Sequence, residues 1–537
     1  MNKVDLINEV FLLENEIGIV LPFSEDEDAF LGEISLDASP KEALHFKVEI
    51  SRTYPLSDSE ISVRFYLNPN IGVAHVNLDG SVCIHTPQHH DFEVRLKNEI
   101  KFLKKWRDKY YLKQDSNERY DYLNTQYSDA SCFLFTDVAH QFHSGEFGEF
   151  KFSVFSDHSI HEKNITAHQA YILEIGRHKC NWADRVHRIQ ASGGFYVFIE
   201  DEPVKSPYRI VTDWVELEPY LPDDFLKILY NYKNRPLKLH KLMILIGYFI
   251  PGTNENKECH WQAISVVNNE IPVYGRKIGP KQYESSCYDY PINWNKTLNS
   301  GYERFFGRGC LSPKFTDKKI LIIGVGAVGS GLATILVRSG VRHLGISDYD
   351  AIEPGNVCRS EYFLTESQLP KTIALAQHLQ AISPFVDVHI KNRISKKDYG
   401  EFGSGTKAML EEYDLVMDCS SDNEISYFID RLQVSSEVVN ISISNEAREM
   451  VLVTGRNITE AKKVIFDSLK ETDPQLIYEG TGCWSPTFKA SYFDIQSHLN
   501  LVVQNMNHQM ETLGKMRTTV IKREIVGNNI TLSTIDY

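Results

Sequence analysis

Residues 320–331 read ILIIGVGAVGSG, and an uncharged run continues to Val337. Four aliphatic residues lead into Gly324, Gly326 and Gly329. The stretch before the glycines has the character of a buried strand and the stretch after them that of a buried helix. Glycine permits the tight turn between the two and lets backbone approach an anion at the helix N-terminus. The run is long enough to raise the question of a membrane span. Gly324, Gly326, Gly329 and Gly331 inside it answer better as strand, turn and helix, so no membrane association is expected.

The same alternation continues downstream. HLGISD (343–348) reads as a second strand, a helix pattern starts near Lys371, and DLVMDCS (414–420) reads as a third strand. That order argues for a parallel sheet with helices on both faces. The acidic residue expected after the second strand is Asp348. These features alone say nucleotide, with NAD or FAD as the commonest occupants.

Further residues move the reading toward ATP. Asp348 and Asp350 are followed by Asn356, Arg359 and Lys371, and then by Asp422. Hydride transfer has no general need for Arg and Lys beside the phosphate turn. Attack on an α-phosphate does, because cations stabilise the charge that builds there and a carboxylate can hold magnesium. The order D-x-D…N-x-x-R…K…D-N resembles the adenylation domain shared by ubiquitin-activating enzymes and the bacterial sulfur-carrier activators of the ThiF/MoeB kind. The likeness covers about 320–425 well and the rest of the C-terminal part loosely. It implies that Asp348 binds ribose, that Asn356, Arg359 and Lys371 surround the phosphates, and that Asp422 helps place magnesium. Arg304 and Arg308 are candidates for an arginine lent to a partner subunit's ATP site. The sulfur-carrier activators usually hold zinc on four cysteines; this chain has no CxxC pair, so no structural zinc is expected.

At about 150 residues per domain, 537 residues suggest three or four domains. The reading is an α/β multidomain chain: an α+β unit over 1–145, a mixed middle unit over 146–305, and a Rossmann-like adenylation unit over 306–537. In the first, a short helix (3–14) precedes alternating segments at 33–36, 45–51 and 61–66, and a helix pattern covers 92–111. The middle offers a helix near 222–232 and a strand-like run at 242–250, with no motif. Lys plus Arg number 57 against 72 Asp plus Glu, a formal charge of −15, which disfavours nucleic acid as a partner. Nine scattered cysteines, an odd count, support no disulfide framework and suit a reducing cytoplasm. The N-terminus carries acids within its apolar stretch and lacks signal-peptide character.

Two cysteines stand apart. Cys483 lies in EGTGCWSPTFKAS, a polar segment punctuated by Gly and Pro. It resembles the activating-cysteine segment of prokaryotic ubiquitin-activating-like enzymes. Cys419, by contrast, sits in a strand pattern and reads as a buried thiol. Cys83 lies in HVNLDGSVCIH (75–85), after Tyr54-Pro55. This setting resembles the active-site segment of ubiquitin-conjugating enzymes, with His75, Asn77, Gly80, Cys83 and Ile84 matching, Val76 in place of proline, and a shorter spacer. Trp106 in the following helix suits that fold. The resemblance implies that Asn77 stabilises the oxyanion formed when an amine attacks a thioester. His89, His90 and Asp91 read as a helix-capping loop rather than a metal site.

Together these likenesses describe a fused conjugating and activating enzyme, similar to the conjugation enzymes of type II CBASS antiphage systems. They imply adenylation of a protein's C-terminus with ATP and magnesium, a thioester on Cys483, transfer to Cys83, and delivery to an amine on a protein or small molecule. They also imply a cGAS-like nucleotidyltransferase as the protein activated, and a homodimer. Three other readings stay open: a bacterial ubiquitin-like protein as the activated partner, a Rossmann oxidoreductase, and a tail-binding scaffold without catalysis.

Overall fold

The computed structural model describes residues 2–39, 42–56, 62–67, 71–77, 79–84, 86–114, 125, 127, 131–160, 165–182, 190–206, 209–234, 241–251, 257–267, 270–277, 279, 283–394, 403–469, 477–478 and 487–537. The chain forms two compact units, one of residues 1–180 with 187–299 and one of 300–537 with 181–186.

The first unit opens with helix α1 (Lys3–Leu12), capped by Asn2, whose Oδ1 accepts from Asp5 N at 2.8 Å. An antiparallel sheet follows in sequential order: β1 (Ile17–Glu25), β2 (Ala29–Ser39), β3 (Glu42–Ser51) and β4 (Val63–Tyr66). In β3 the alternation is strict. Leu44, Phe46, Val48 and Ile50 are buried, each worth about 1.5–3 kcal/mol, while the residues between them are exposed or half-buried. Helix α2 (Phe92–Trp106) covers that face with Leu96, Ile100, Leu103 and Trp106. Asp91 caps it, accepting from Val94 N at 2.9 Å. A short π-helical turn (Arg107–Leu112) completes the stretch that the sequence pattern treats as one helix.

β1 has no counterpart in the sequence expectations. Most of its residues are exposed or half-buried and it contains Pro22, two features that hide a strand. It lies at the sheet edge, and its pairing with β2 slips between Ile19 and Ser24, so proline costs no ladder bond.

A second sheet in this unit runs β5 (Cys132–Phe135), β6 (Phe147–Ile160), β7 (Ile165–Ile175), β8 (His178–Lys179) and β9 (Gln190–Phe198). The short β10 (Val204–Ser206) and β11 (Arg209–Ile210) pair apart from it. Helices α3 (Trp214–Leu217) and α4 (Asp223–Lys233) precede β12 (Lys241–Pro251) and β13 (Lys257–Val267). The hairpin β14 (Val273–Lys277) and β15 (Tyr283–Cys287) then leads to β16 (Trp294–Asn299). The order is β5-β16-β13-β12-β9-β6-β7-β8, and β5 also pairs with β7. That last pairing closes the sheet into a barrel and removes its edges. α3 and α4 pack Trp214, Leu217, Phe225 and Leu229 against Val197, Ile244 and Ile246.

The second unit carries α5 (Tyr302–Phe306), α6 (Pro313–Thr316), β17 (Lys319–Ile323), α7 (Ala327–Arg338), β18 (His343–Ser347), α8 (Pro354–Val357), α9 (Lys371–Ile382) and β19 (Asp387–Ile390). After these come α10 (Gly403–Glu411), β20 (Leu415–Asp418), α11 (Asn423–Leu432), β21 (Glu437–Ser444), β22 (Glu449–Thr454) and α12 (Ile458–Ser468). The chain ends with β23 (Ile477–Tyr478), β24 (Thr487–Phe488), α13 (Tyr492–Leu513), β25 (Thr519–Val526) and β26 (Asn529–Asp536). The main sheet has the order β19-β18-β17-β20-β21-β22-β25-β26. β19 through β21 are parallel, and β22, β25 and β26 are antiparallel additions, so the expected parallel sheet is mixed. Both faces are covered. Ile320 and Ile322 of β17 join Leu332, Leu336, Leu375 and Leu499 on one side. Leu321 and Ile323 join Val416, Phe428 and Ile429 on the other. This is why ILII reads as a continuous apolar run rather than an alternating one. Among the described residues no helix is long and apolar enough to cross a membrane.

Candidate functional site

The three glycines after β17 do three different things. Gly324 has φ +78°, and a Cβ there would lie 2.8 Å from both Cα and N of Ser420. Only glycine meets both conditions. Gly329, in the first turn of α7, sits so close to the Gly324 carbonyl that a Cβ would overlap its oxygen. A Cβ on Gly326 would meet nothing within 4 Å. α7 starts at Ala327 with no side-chain cap, so its first-turn N–H groups lack intrahelical partners. Two glycines build the turn and the third leaves an open cradle beside unsatisfied donors.

The turn is held through both backbone groups of Val325. Its N–H donates to Asp348 Oδ2 at 2.8 Å, and its carbonyl accepts from the buried Tyr362 hydroxyl at 2.5 Å. Asp348 Oδ1 accepts from Asp350 N at 2.8 Å. A carboxylate has room for about four acceptor contacts, so lone pairs of Asp348 remain for ligand hydroxyls. Burial, with the Asp348 charge next in size, holds the Tyr362 phenol far above its ordinary range, so it is a donor at any physiological pH.

Lys371 opens α9. Its ammonium lies 3.0 Å from Asp350 Oδ2, and its backbone N donates to the Asp350 carbonyl at 3.0 Å. Lys371 is buried while Asp350 is exposed. Asn356 is engaged as a cap: its Oδ1 accepts from Glu353 N at 3.1 Å, closing a capping box on α8. Arg359 follows, its N–H on the Asn356 carbonyl at 3.1 Å. It is half-buried, and no hydrogen bond or ion pair to its guanidinium is found among the described residues. The segment after Arg359 is tied back to α7 by Glu361 N, which donates to Ser330 Oγ at 3.3 Å.

Asp422 caps α11, accepting from Glu424 N at 2.9 Å. The buried Asp418, which the sequence pattern does not single out, organises the turn before it. Its carboxylate accepts from Ser420 N (3.0 Å), Ser420 Oγ (2.6 Å), Ser426 Oγ (2.7 Å) and Asn440 Nδ2 (2.9 Å). Ser420 is the residue packed against Gly324, so Asp418 locks the turn that carries Asp422 onto the glycine turn. Cys419 in that turn is half-buried, and desolvation raises its thiol well above the usual range.

Gly324, Asp348 and Asp422 follow the carboxyl ends of β17, β18 and β20. The chain leaves β17 toward β18 and β19, then crosses to β20 and β21 on the other side. The crevice at such a switch point is where open α/β sheets take ligands. The open position at Gly326 fits a phosphate, and the Asp422 carboxylate fits magnesium, which takes one or two carboxylates and completes its shell with phosphate and water. No group of three or more His, Cys, Asp or Glu able to hold a metal by itself occurs among the described residues.

In the first unit, Cys83 lies on a tight antiparallel turn. Asn77 N donates to the Ser81 carbonyl and Cys83 N to the His75 carbonyl, each at 2.8 Å, and Val76 bridges Val82. Val76 and Val82 are buried, so Asn77 and Cys83 share the opposite face, diagonal neighbours roughly 7–8 Å apart. Gly80, at φ +84°, closes the turn. Asn77 Nδ2 donates to Ser81 Oγ at 2.9 Å, which leaves its second N–H. Trp106 Nε1 anchors the start of the loop through the Ala74 carbonyl at 3.1 Å. After the cysteine, Thr86 Oγ1 donates to the buried Glu99 Oε1 at 2.7 Å. Burial pushes the Cys83 thiol above its ordinary range. Cys483 falls within 479–486, outside the described residues; β23 and β24 pair antiparallel on either side of that stretch.

Residues 305–477 match the ThiF family. The chain is 27% identical over 319 residues to the ATP-dependent ubiquitin transferase-like protein Cap2 of Enterobacter hormaechei, covering 55% of this chain and 52% of that one. It is 28% identical over 148 residues to the adenylyltransferase and sulfurtransferase UBA4 of Yarrowia lipolytica, covering 26% and 36%. The matched part thus spans about half or less of these relatives. The crystal structure of E. coli MccB with ATP overlaps 42% of this chain and 64% of its own, at 15% identity and a TM-score of 0.30. The C-terminal unit carries a ThiF-family domain.

Proposed function

We propose that this chain activates the C-terminus of a partner protein with ATP and magnesium and conjugates it to an amine. The observation that carries the reading is the crevice itself. An open glycine cradle, a buried lysine and an arginine with no guanidinium partner among the described residues lie in one domain, and that domain matches the ThiF family.

In this reading Asp348 accepts from the ribose hydroxyls. Arg359, Lys371 and the Asn356 amide surround the phosphates, and Asp422 holds magnesium. The metal, when bound, offsets phosphate charge. A carboxylate oxygen of the partner attacks the α-phosphorus and pyrophosphate leaves; the cations stabilise the charge that builds on the phosphoryl oxygens. The Cys483 thiolate attacks the carbonyl of the mixed anhydride and AMP leaves. Cys83 takes the acyl group by thioester exchange, which is close to neutral in energy, so pyrophosphate release drives the sequence. An amine then attacks at Cys83 and the thiolate departs, with the free N–H of Asn77 donating to the oxyanion. The direction of the first steps is set by ATP, and Cys83 enters only as the acceptor.

The N-terminal helix, four-stranded meander, cysteine loop and covering helix support a ubiquitin-conjugating role for 1–145. The sequence resemblance to type II CBASS conjugation enzymes is the ground for proposing a cGAS-like nucleotidyltransferase as the activated protein. We further propose a cytoplasmic homodimer; the eight described cysteines are all unpaired, as a reducing compartment would have them. The test is the Cys83→Ala chain expressed with its neighbouring gene products and run on a non-reducing denaturing gel. A reductant-sensitive adduct that Cys483→Ala abolishes supports the reading. Absence of both the adduct and ATP–pyrophosphate exchange overturns it.

A further inference from the structure

α12 carries a lysine that the adenylation scheme does not use. Lys462 is buried between Ile458 and Ile465, on the side of α12 that meets α11. Its ammonium donates to Asn423 Oδ1 at 3.0 Å, and Asn423 is the first residue of α11, adjacent to Asp422. The other charge that acts on it is Asp418, the buried carboxylate at the end of β20. Asp418 accepts four hydrogen bonds from Ser420, Ser426 and Asn440, and none of these donors carries charge. A buried carboxylate and a buried ammonium are each costly alone and tolerable as counter-charges.

We propose that Lys462 is a positioning residue for the magnesium end of the site. From α12 it holds Asn423, the residue after Asp422, and so fixes the end of the turn 419–422 that presents Asp422 beside the glycine turn. Two separate tethers act on this turn: Lys462 holds Asn423 just after it, and Asp418 holds Ser420, which lies against Gly324. Loss of the ammonium leaves Asn423 Oδ1 without this donor, at the end of the turn that carries Asp422. Burial, the larger influence, pulls the ammonium below the ordinary lysine range, and the Asp418 field opposes that.

This inference deepens the adenylation reading and rests on it. The test is binding of the non-hydrolysable analogue AMPCPP by calorimetry at several magnesium concentrations, with thermal unfolding alongside. Lys462→Met is expected to raise the magnesium concentration needed for half-maximal binding about 10-fold or more, the usual cost of losing an outer-shell partner. Lys462→Arg is expected to restore most of it. Asn423→Ala, which leaves the buried charges in place, is expected to shift the magnesium dependence in the same direction and serves if the methionine variant does not fold. Wild-type magnesium dependence in either folded variant overturns the inference. Failure of the wild-type chain to bind AMPCPP with magnesium overturns the adenylation reading instead.

Discussion

The Lys371 ammonium rests 3.0 Å from Asp350 Oδ2 in the free chain, so the cation proposed to meet a phosphate already has a partner. A nucleotide entering the crevice competes with an exposed carboxylate for a buried ammonium. Lys371→Met is expected to lower ATP–pyrophosphate exchange about 10²–10³-fold, the usual loss for a group that stabilises transition-state charge. Asp350→Asn, which leaves the ammonium in place, is expected to cost far less. Exchange rates of the two variants check this; equal losses would mean that the pair is structural.

The glycine turn separates folding from binding. Gly329→Ala forces a Cβ onto the Gly324 carbonyl and is expected to destabilise the second unit by about 1–3 kcal/mol. Gly326→Ala, at φ −72° with open space around it, is expected to leave stability within about 0.5 kcal/mol and to weaken AMPCPP binding. Urea denaturation and calorimetry on both variants read the two effects independently.

Burial raises the Cys83 thiol, and the thiolate is the nucleophile. Its fraction therefore grows about tenfold per pH unit below the thiol's pKa. Iodoacetamide labelling of Cys83 is expected to be slower at pH 7.5 than that of a free cysteine and to climb steeply toward pH 9. A labelling rate already flat at neutral pH would show a low-pKa thiol and contradict the assignment of burial as the dominant influence.

Glu99 gives a stability signature. Burial raises its carboxyl above the ordinary range, opposed by the Thr86 hydrogen bond and by Arg95, 3.7 Å away. The unfolded chain therefore loses this proton at a lower pH than the folded one. Stability from this group is complete below the unfolded carboxylate pKa and is lost as pH rises through the folded value, by at most about 1.4 kcal/mol per unit. Glu99→Gln is expected to flatten the fall in melting temperature from pH 4.5 upward, relative to wild type. Parallel curves for the two proteins would rule the group out.

The candidate crevice was legible because its parts are local: Gly324, Asp348 and Lys371 each follow or begin an element whose period shows in the sequence. The groups that hold the crevice together were not. Tyr362 grips Val325 from 37 residues away, and Asp418 acts through Ser420 and Asn440. Such pairings exist only once β17, β20 and β21 lie side by side. The barrel of the first unit was invisible for a related reason. Its closure depends on β5 pairing with both β7 and β16, and no periodicity in a four-residue strand announces two neighbours. Lys462 reads in sequence as one more charge on an amphipathic helix; only burial distinguishes it.

The irregular outer strand of the N-terminal sheet sets a limit on how another protein can be recognised there. Pro22 offers no donor, and the slipped register around it interrupts the row of backbone groups. The opposite strand, β4, is four residues long and is bridged at Tyr66 by Ser81 of the cysteine turn. Among the described residues, neither border offers an incoming polypeptide a continuous template. Under the proposed conjugation, a tail at Cys83 has to be read by side chains and loops, and selectivity at that cysteine becomes a matter of shape and charge rather than of main-chain zippering.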